Sequence, residues 1–202
     1  MKKKNLKKLL LAVCCAALLV CVSIGATVAY LTSKDTVTNT FTVGKVAITL
    51  DEAKVTADGT EVEGADRVKS NSYKLMPGHE YKKDPTVHVT AGSEACYVFV
   101  KVENGISAIE TTESGKTITE QITIDKGWTA LTGETGVYYK EWKTGDATDL
   151  VVFENFTIAD TVKDTNLAEI TKDTKIEITA YAIQKDGFEN NVAGAWDAVK
   201  GI

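Results

Sequence analysis

The stretch "LMPGHEYKKDPTVHV", Leu75 to Val89, holds both histidines of the chain. Its reading decides between a metallohydrolase helix and a turn that feeds a β-sheet. A zinc hydrolase of the common type needs His, Glu and His at i, i+1 and i+4 on one helix, so that both rings reach one metal and the carboxylate faces its water. His79 is followed by Glu80, but position 83 is Lys83. The setting fails as well: Pro77 and Gly78 mark a turn just ahead, and Pro85 breaks any helical continuation. The expectation is therefore His79 in an exposed turn and His88 on the polar face of a strand, with no metal and no cofactor.

The residues that follow carry strand signals. "PTVHVT" alternates Val87 and Val89 against His88, and "ACYVFVKV" is apolar on both sides from Cys96 to Val100. That pattern predicts a central strand covered on both faces. Further strands are expected at Thr117 to Ile124, Val137 to Trp142, Leu150 to Ile158 and Lys175 to Ile183, with the polar run Asp51 to Ser72 as a hairpin or long loop. "TNLAEI" is too short to assign, whereas "NNVAGAWDAVK" places Val192, Trp196 and Val199 on one helical face. Seven to nine short strands with irregular turns predict an all-β sandwich of jelly-roll or Greek-key type, with short helical insertions and a short C-terminal helix.

Upstream, "TVTNTFTV" sets Val37, Phe41 and Val43 on one face of a strand with threonines opposite. After Gly44 the parity changes, and Val46, Ile48 and Leu50 become the apolar set. A glycine at a phase change marks a bulge or bend, so this ribbon can serve two surfaces in succession.

The first 29 residues read as a secretory signal: "MKKKNLKK" is basic, the run to Ala29 is apolar, and Thr27 and Ala29 supply the small side chains of a peptidase site. Cleavage is expected between Ala29 and Tyr30. The competing reading is a retained anchor, since about 20 apolar residues also suffice to span a bilayer. A lipoprotein is disfavoured because Cys14, Cys15 and Cys21 lack a small preceding residue. The chain of 202 residues then leaves one domain, residues 30–202.

The segment removed carries five of the 23 basic residues and none of the 28 acidic ones, leaving a net charge near −10. Such a surface repels nucleic acid and anionic headgroups, so no nucleic-acid partner is expected, and the membrane is met only through the uncleaved signal. Three of four cysteines leave with it, so Cys96 remains as a small buried hydrophobe without a disulfide framework. No phosphate loop and no G-x-S-x-G elbow occurs, and the expectation is a protein that is not an enzyme.

Three stretches in order, "SIGATVAYLTSKDTVTNTFTVGKVAITL", "LMPGHEYKKDPTVHVTAGSEACYVFVKV" and "KIEITAYAIQ", resemble the TasA and camelysin family of secreted Gram-positive proteins. The first is similar to that family's signal junction and following F-x-x-G strand, the second to its L-x-P-G-x-x-x-x-K-D element. The middle, from about Gly105 to Asp173, has no such match. The resemblance implies a jelly-roll domain trimmed by a SipW-type signal peptidase and assembled outside the cell into biofilm-matrix fibres. It implies a homopolymer formed by donor-strand complementation, with an anchoring or minor fibre subunit as a further partner. On that basis Val37, Phe41 and Val43 are the donor side chains, and Gly44 is where the strand passes from the neighbour's sheet to its own. The alternative keeps residues 36–43 as the first strand of the chain's own sandwich, in a monomeric cell-surface binding module or adhesin. A camelysin-like metallopeptidase is a third reading, which the missing H-E-x-x-H pattern does not support.

Overall fold

The computed structural model describes residues 44–163, 167 and 174–201. The chain divides between Thr42 and Val43 into two units, and every described residue belongs to the second. The signal segment, the Ala29 and Tyr30 junction, and Val37, Phe41 and Val43 lie outside the described residues, as does all of "TNLAEI" except Leu167.

The described part is mostly β, and all its sheets are antiparallel. Strands β1 (Ile48–Asp51), β3 (Thr86–Val89) and β7 (Asp149–Val151) form one sheet in the order β1-β3-β7. A second pairs β2 (Glu80–Lys82) with β8 (Asn155–Thr157). The largest, in the order β5-β6-β4-β9, joins β5 (Thr129–Ala130), β6 (Val137–Trp142), β4 (Cys96–Asn104) and β9 (Ile176–Gln184).

Strand β4 organises two cores because its side chains alternate between two apolar faces. Cys96, Val98, Val100 and Val102 enter a large core with Tyr81, Trp128, Phe153 and Phe156. Tyr97 and Phe99 face the other way, against Ala195, Trp196 and Val199 of the C-terminal helix. That helix (Val192–Val199) presents the expected stripe, and Asn191 caps it by accepting from the Gly194 amide at 3.0 Å.

One expected strand is instead helical. The Thr117 to Ile124 segment forms a turn of α-helix, α1 (Ile118–Glu120), continued by a π-helical turn over Gln121–Asp125. Thr117 and Glu120 make a capping box: the Thr117 hydroxyl accepts from the Glu120 amide at 3.2 Å and donates to its carboxylate at 2.7 Å. Ile118 and Ile122, four apart, are both buried, and the buried Gln121 amide bonds the start of β8 through Glu154 N, Asn155 N and Asn155 O. The expected Leu150 to Ile158 strand is two strands, because Val152 and Phe153 are consecutive and both fully buried, which no single alternating strand on one core allows. The C-terminal helix makes α2.

Phe99→Ala removes a ring 5.5 Å from Trp196 and is expected to cost about 3–5 kcal/mol, read by urea denaturation. Thr117→Ala, which loses only the cap, is expected to cost about 1 kcal/mol in the same assay.

Candidate functional site: a groove between two open strand edges

Strands β1 and β9 each end a sheet, and among the described residues neither outer edge has a strand partner. Both edges line one groove of about 630 Å³, with Ile48 and Leu50 on one side and Ile176, Ile178 and Ala180 on the other. Thr90 N donates to Ala47 O at 2.8 Å, which fixes the alternation of the β1–β3 ladder. Thr49 and Asp51 exchange bonds with β3, so the backbone groups of Ile48 and Leu50 point outward. Lys69 Nζ donates to the outward Leu50 carbonyl, and Glu52 and Val68 pair beyond it through two bonds of 2.9 and 2.8 Å.

On β9 the Lys185 N to Ala95 O bond (2.8 Å) and the Gly105 N to Lys175 O bond (3.0 Å) set the same logic. Odd-numbered residues bond β4, and the backbone groups of Ile176, Ile178, Ala180 and Ala182 face the free edge. Those residues, with Val46, Ile48 and Leu50, are half-buried hydrophobics packed on the main core. The groove thus offers an apolar floor between two rows of backbone donors and acceptors.

Gly44 is exposed at the N-terminal limit of the described chain, where a Cβ would meet Glu94 Cγ at 2.8 Å. From Lys45 onward the chain already runs beside its own β-sheet, since Lys45 O accepts from Glu94 N at 3.0 Å.

The Lys83-Asp84 pair of the opening stretch anchors the loop beside the groove. Lys83 is buried in an ion pair with the buried Glu52. Asp84 Oδ1 accepts from the Ala53 amide at 2.7 Å, and its Oδ2 takes Arg67 Nη1 at 3.0 Å. Arg67 also holds Asp51 and donates to Thr86 Oγ1 at 3.0 Å.

His79 and His88 are not brought together. The His79 ring is half-buried rather than exposed, against Tyr81 and within 2.9 Å of Asp58 O. His88 bridges two neighbouring strands, with Nδ1 2.7 Å from Asp149 and Nε2 2.9 Å from Asp51. Among the described residues no group of three acidic, histidine or cysteine side chains is placed to hold a metal ion. Cys96 is fully buried, and burial pushes its thiol up to about 11, which leaves it protonated at neutral pH. Comparison with family models, curated proteins and solved structures finds no match.

Burial opposes the charged form of His88, but its hydrogen bonds to the Asp149 and Asp51 carboxylates outweigh it and raise the ring above its ordinary value of 6.5. The resulting stabilisation is fully present below the unfolded-state pKa and is lost as pH rises through the folded one. Urea denaturation at about pH 5.5 and about pH 8.5 is expected to find the protein more stable at the lower value, and His88→Gln is expected to remove that part of the difference.

Proposed function

We propose that this chain is an exported structural subunit of the TasA and camelysin type. Its mature form polymerises into extracellular matrix fibres when the N-terminal segment of one copy enters the β1–β9 groove of the next. The groove is the observation that carries the reading. It combines two strand edges that have no strand partner among the described residues with a floor of half-buried aliphatic side chains, the two demands of an added strand.

The segment 36–43 supplies the matching pattern, with Val37, Phe41 and Val43 on one side and threonines on the other. Each such side chain, once buried, contributes roughly 1.5–3 kcal/mol. A strand seated there adds to the free edge of β9 and packs beside β1, because Cα atoms of β1 already come within 8 Å of those of β9 and leave less than the two strand spacings needed to bond both edges at once. The result extends the four-stranded sheet of a jelly-roll or Greek-key sandwich. Gly44 is then the crossing point between the neighbour's groove and the chain's own sheet. Cleavage between Ala29 and Tyr30 by a SipW-type peptidase frees the segment, because a membrane-tethered N-terminus cannot reach into a neighbour.

Electron microscopy over a concentration series tests the reading with residues 30–202, the same chain lacking residues 30–43, and an Ile178→Lys variant that puts a charge in the groove. Filaments are expected from the first alone. Equal polymerisation by the shortened chain contradicts the proposal, and monodisperse particles from all three at every concentration favour the monomeric binding module.

A further inference from the structure

A second feature of the groove floor concerns covalent chemistry. Glu52 and Lys83 are 4% and 8% exposed, and the two oxygens of the one carboxylate are divided between two nitrogens. Oε2 accepts from Lys83 Nζ, and Oε1 accepts from Asn71 Nδ2 at 2.9 Å. The Asn71 amide is fixed on every side: Nδ2 also donates to Ala53 O at 2.8 Å, and Oδ1 accepts from the Val55 amide at 3.0 Å. Its orientation follows from those partners, with the NH₂ toward Glu52 and the carbonyl oxygen toward a backbone N–H.

One side of the cluster is aromatic. The Tyr73 ring lies edge-on to Phe156 and Tyr81, with centroids 5.1 and 5.8 Å away, and its hydroxyl donates to Lys82 O at 3.0 Å. Burial, together with the charges of Glu52 and Asp84, keeps that hydroxyl protonated. A Lys–Glu ion pair held out of water is costly. The site therefore holds a potential nucleophile, a proton carrier and a polarised carboxamide on one carboxylate.

We propose that Lys83, Glu52 and Asn71 form an intramolecular isopeptide bond between Lys83 Nζ and Asn71 Cγ. Glu52 takes a proton from the Lys83 ammonium, and the free amine attacks Cγ. The Val55 N–H stabilises the oxyanion that develops on Oδ1. Glu52 returns its proton to Nδ2, the Cγ–Nδ2 bond breaks, and ammonia leaves with a second proton from Nζ as ammonium, so that Nζ keeps the one hydrogen of the secondary amide. The balance is one lysine ammonium and one carboxamide giving one secondary amide and one ammonium ion, with Glu52 unchanged and no oxidant consumed. The product replaces a buried ion pair by a neutral amide and welds the loop at Asn71 to the end of β2. In an exported chain whose one cysteine outside the signal segment is buried and free, this is a covalent staple of a kind no disulfide there supplies.

Intact-mass spectrometry of the folded mature chain, residues 30–202, tests the proposal whether or not the protein polymerises. The mass is expected to fall short of the sequence mass by one ammonia, with a fragment peptide joining Lys83 to Asn71. Glu52→Gln and Lys83→Met are expected at full mass, while Asn71→Asp is expected to lose one water instead of one ammonia. A folded wild-type chain at full sequence mass overturns the proposal. So does an ammonia loss that persists in Lys83→Met, which would mark a succinimide at Asn71.

Discussion

An antiparallel sheet leaves alternate backbone groups of each outer strand without partners, and a protein must cover, blunt or use them. Here the constraint falls twice on one place. β1 closes the three-stranded sheet, β9 closes the four-stranded one, and their outer rows line the same groove. The usual means of blunting an edge are sparse there. Lys69 caps one carbonyl of β1 at Leu50, while the outward residues of β9 that line it are Ile176, Ile178 and Ala180, with neither proline nor charge. An edge of that composition is suited to accept a strand, and the single charged residue of β9, Glu177, sits at an alternate position whose backbone already bonds β4.

The edge needs a rigid frame to remain open, and polar anchors supply it. Arg67 ties Asp51, Asp84 and Thr86 across the loop, and Lys83 meets Glu52 below it. His88 links β1 to β7 through two aspartates. Asp51 is held in its charged form although burial opposes it, because Arg67 and His88 both bond it. Thus the Lys83-Asp84 pair acts as a structural anchor for the wall of the groove, His88 serves as a strand clasp, and His79, which invited the metal reading, packs on Tyr81. On the far side, α2 packs on Tyr97 and Phe99 and so holds the sheet that carries β9.

How much of this was legible depended on whether the signal was local. The double-sided burial of β4 could be read because both of its faces are apolar in sequence, and the α2 stripe because Val192, Trp196 and Val199 recur at helical spacing. The Thr117 to Ile124 segment misled because "TITEQITI" alternates like a strand. The capping pair Thr117 and Glu120, and the four-residue spacing of Ile118 and Ile122, were the signals that would have identified the helix. Strand β2 is too short, at three residues, to show a period. The Glu52, Asn71 and Lys83 cluster had no sequence signature at all, since the fold joins residues up to 31 apart. The groove was equally hidden, because an unpaired edge is a property of sheet order.

The central claim is that the β1–β9 groove accepts an extended segment, and residue-resolved amide hydrogen exchange measures it most directly. The chain lacking residues 30–43 would be compared with and without a peptide of that sequence. The account predicts that the outward amides of Ile178, Ala180 and Ala182 become protected when the peptide is added, while those of Thr179 and Tyr181, already bonded to β4, hardly change. Unchanged exchange at Ile178, Ala180 and Ala182 with saturating peptide would contradict it.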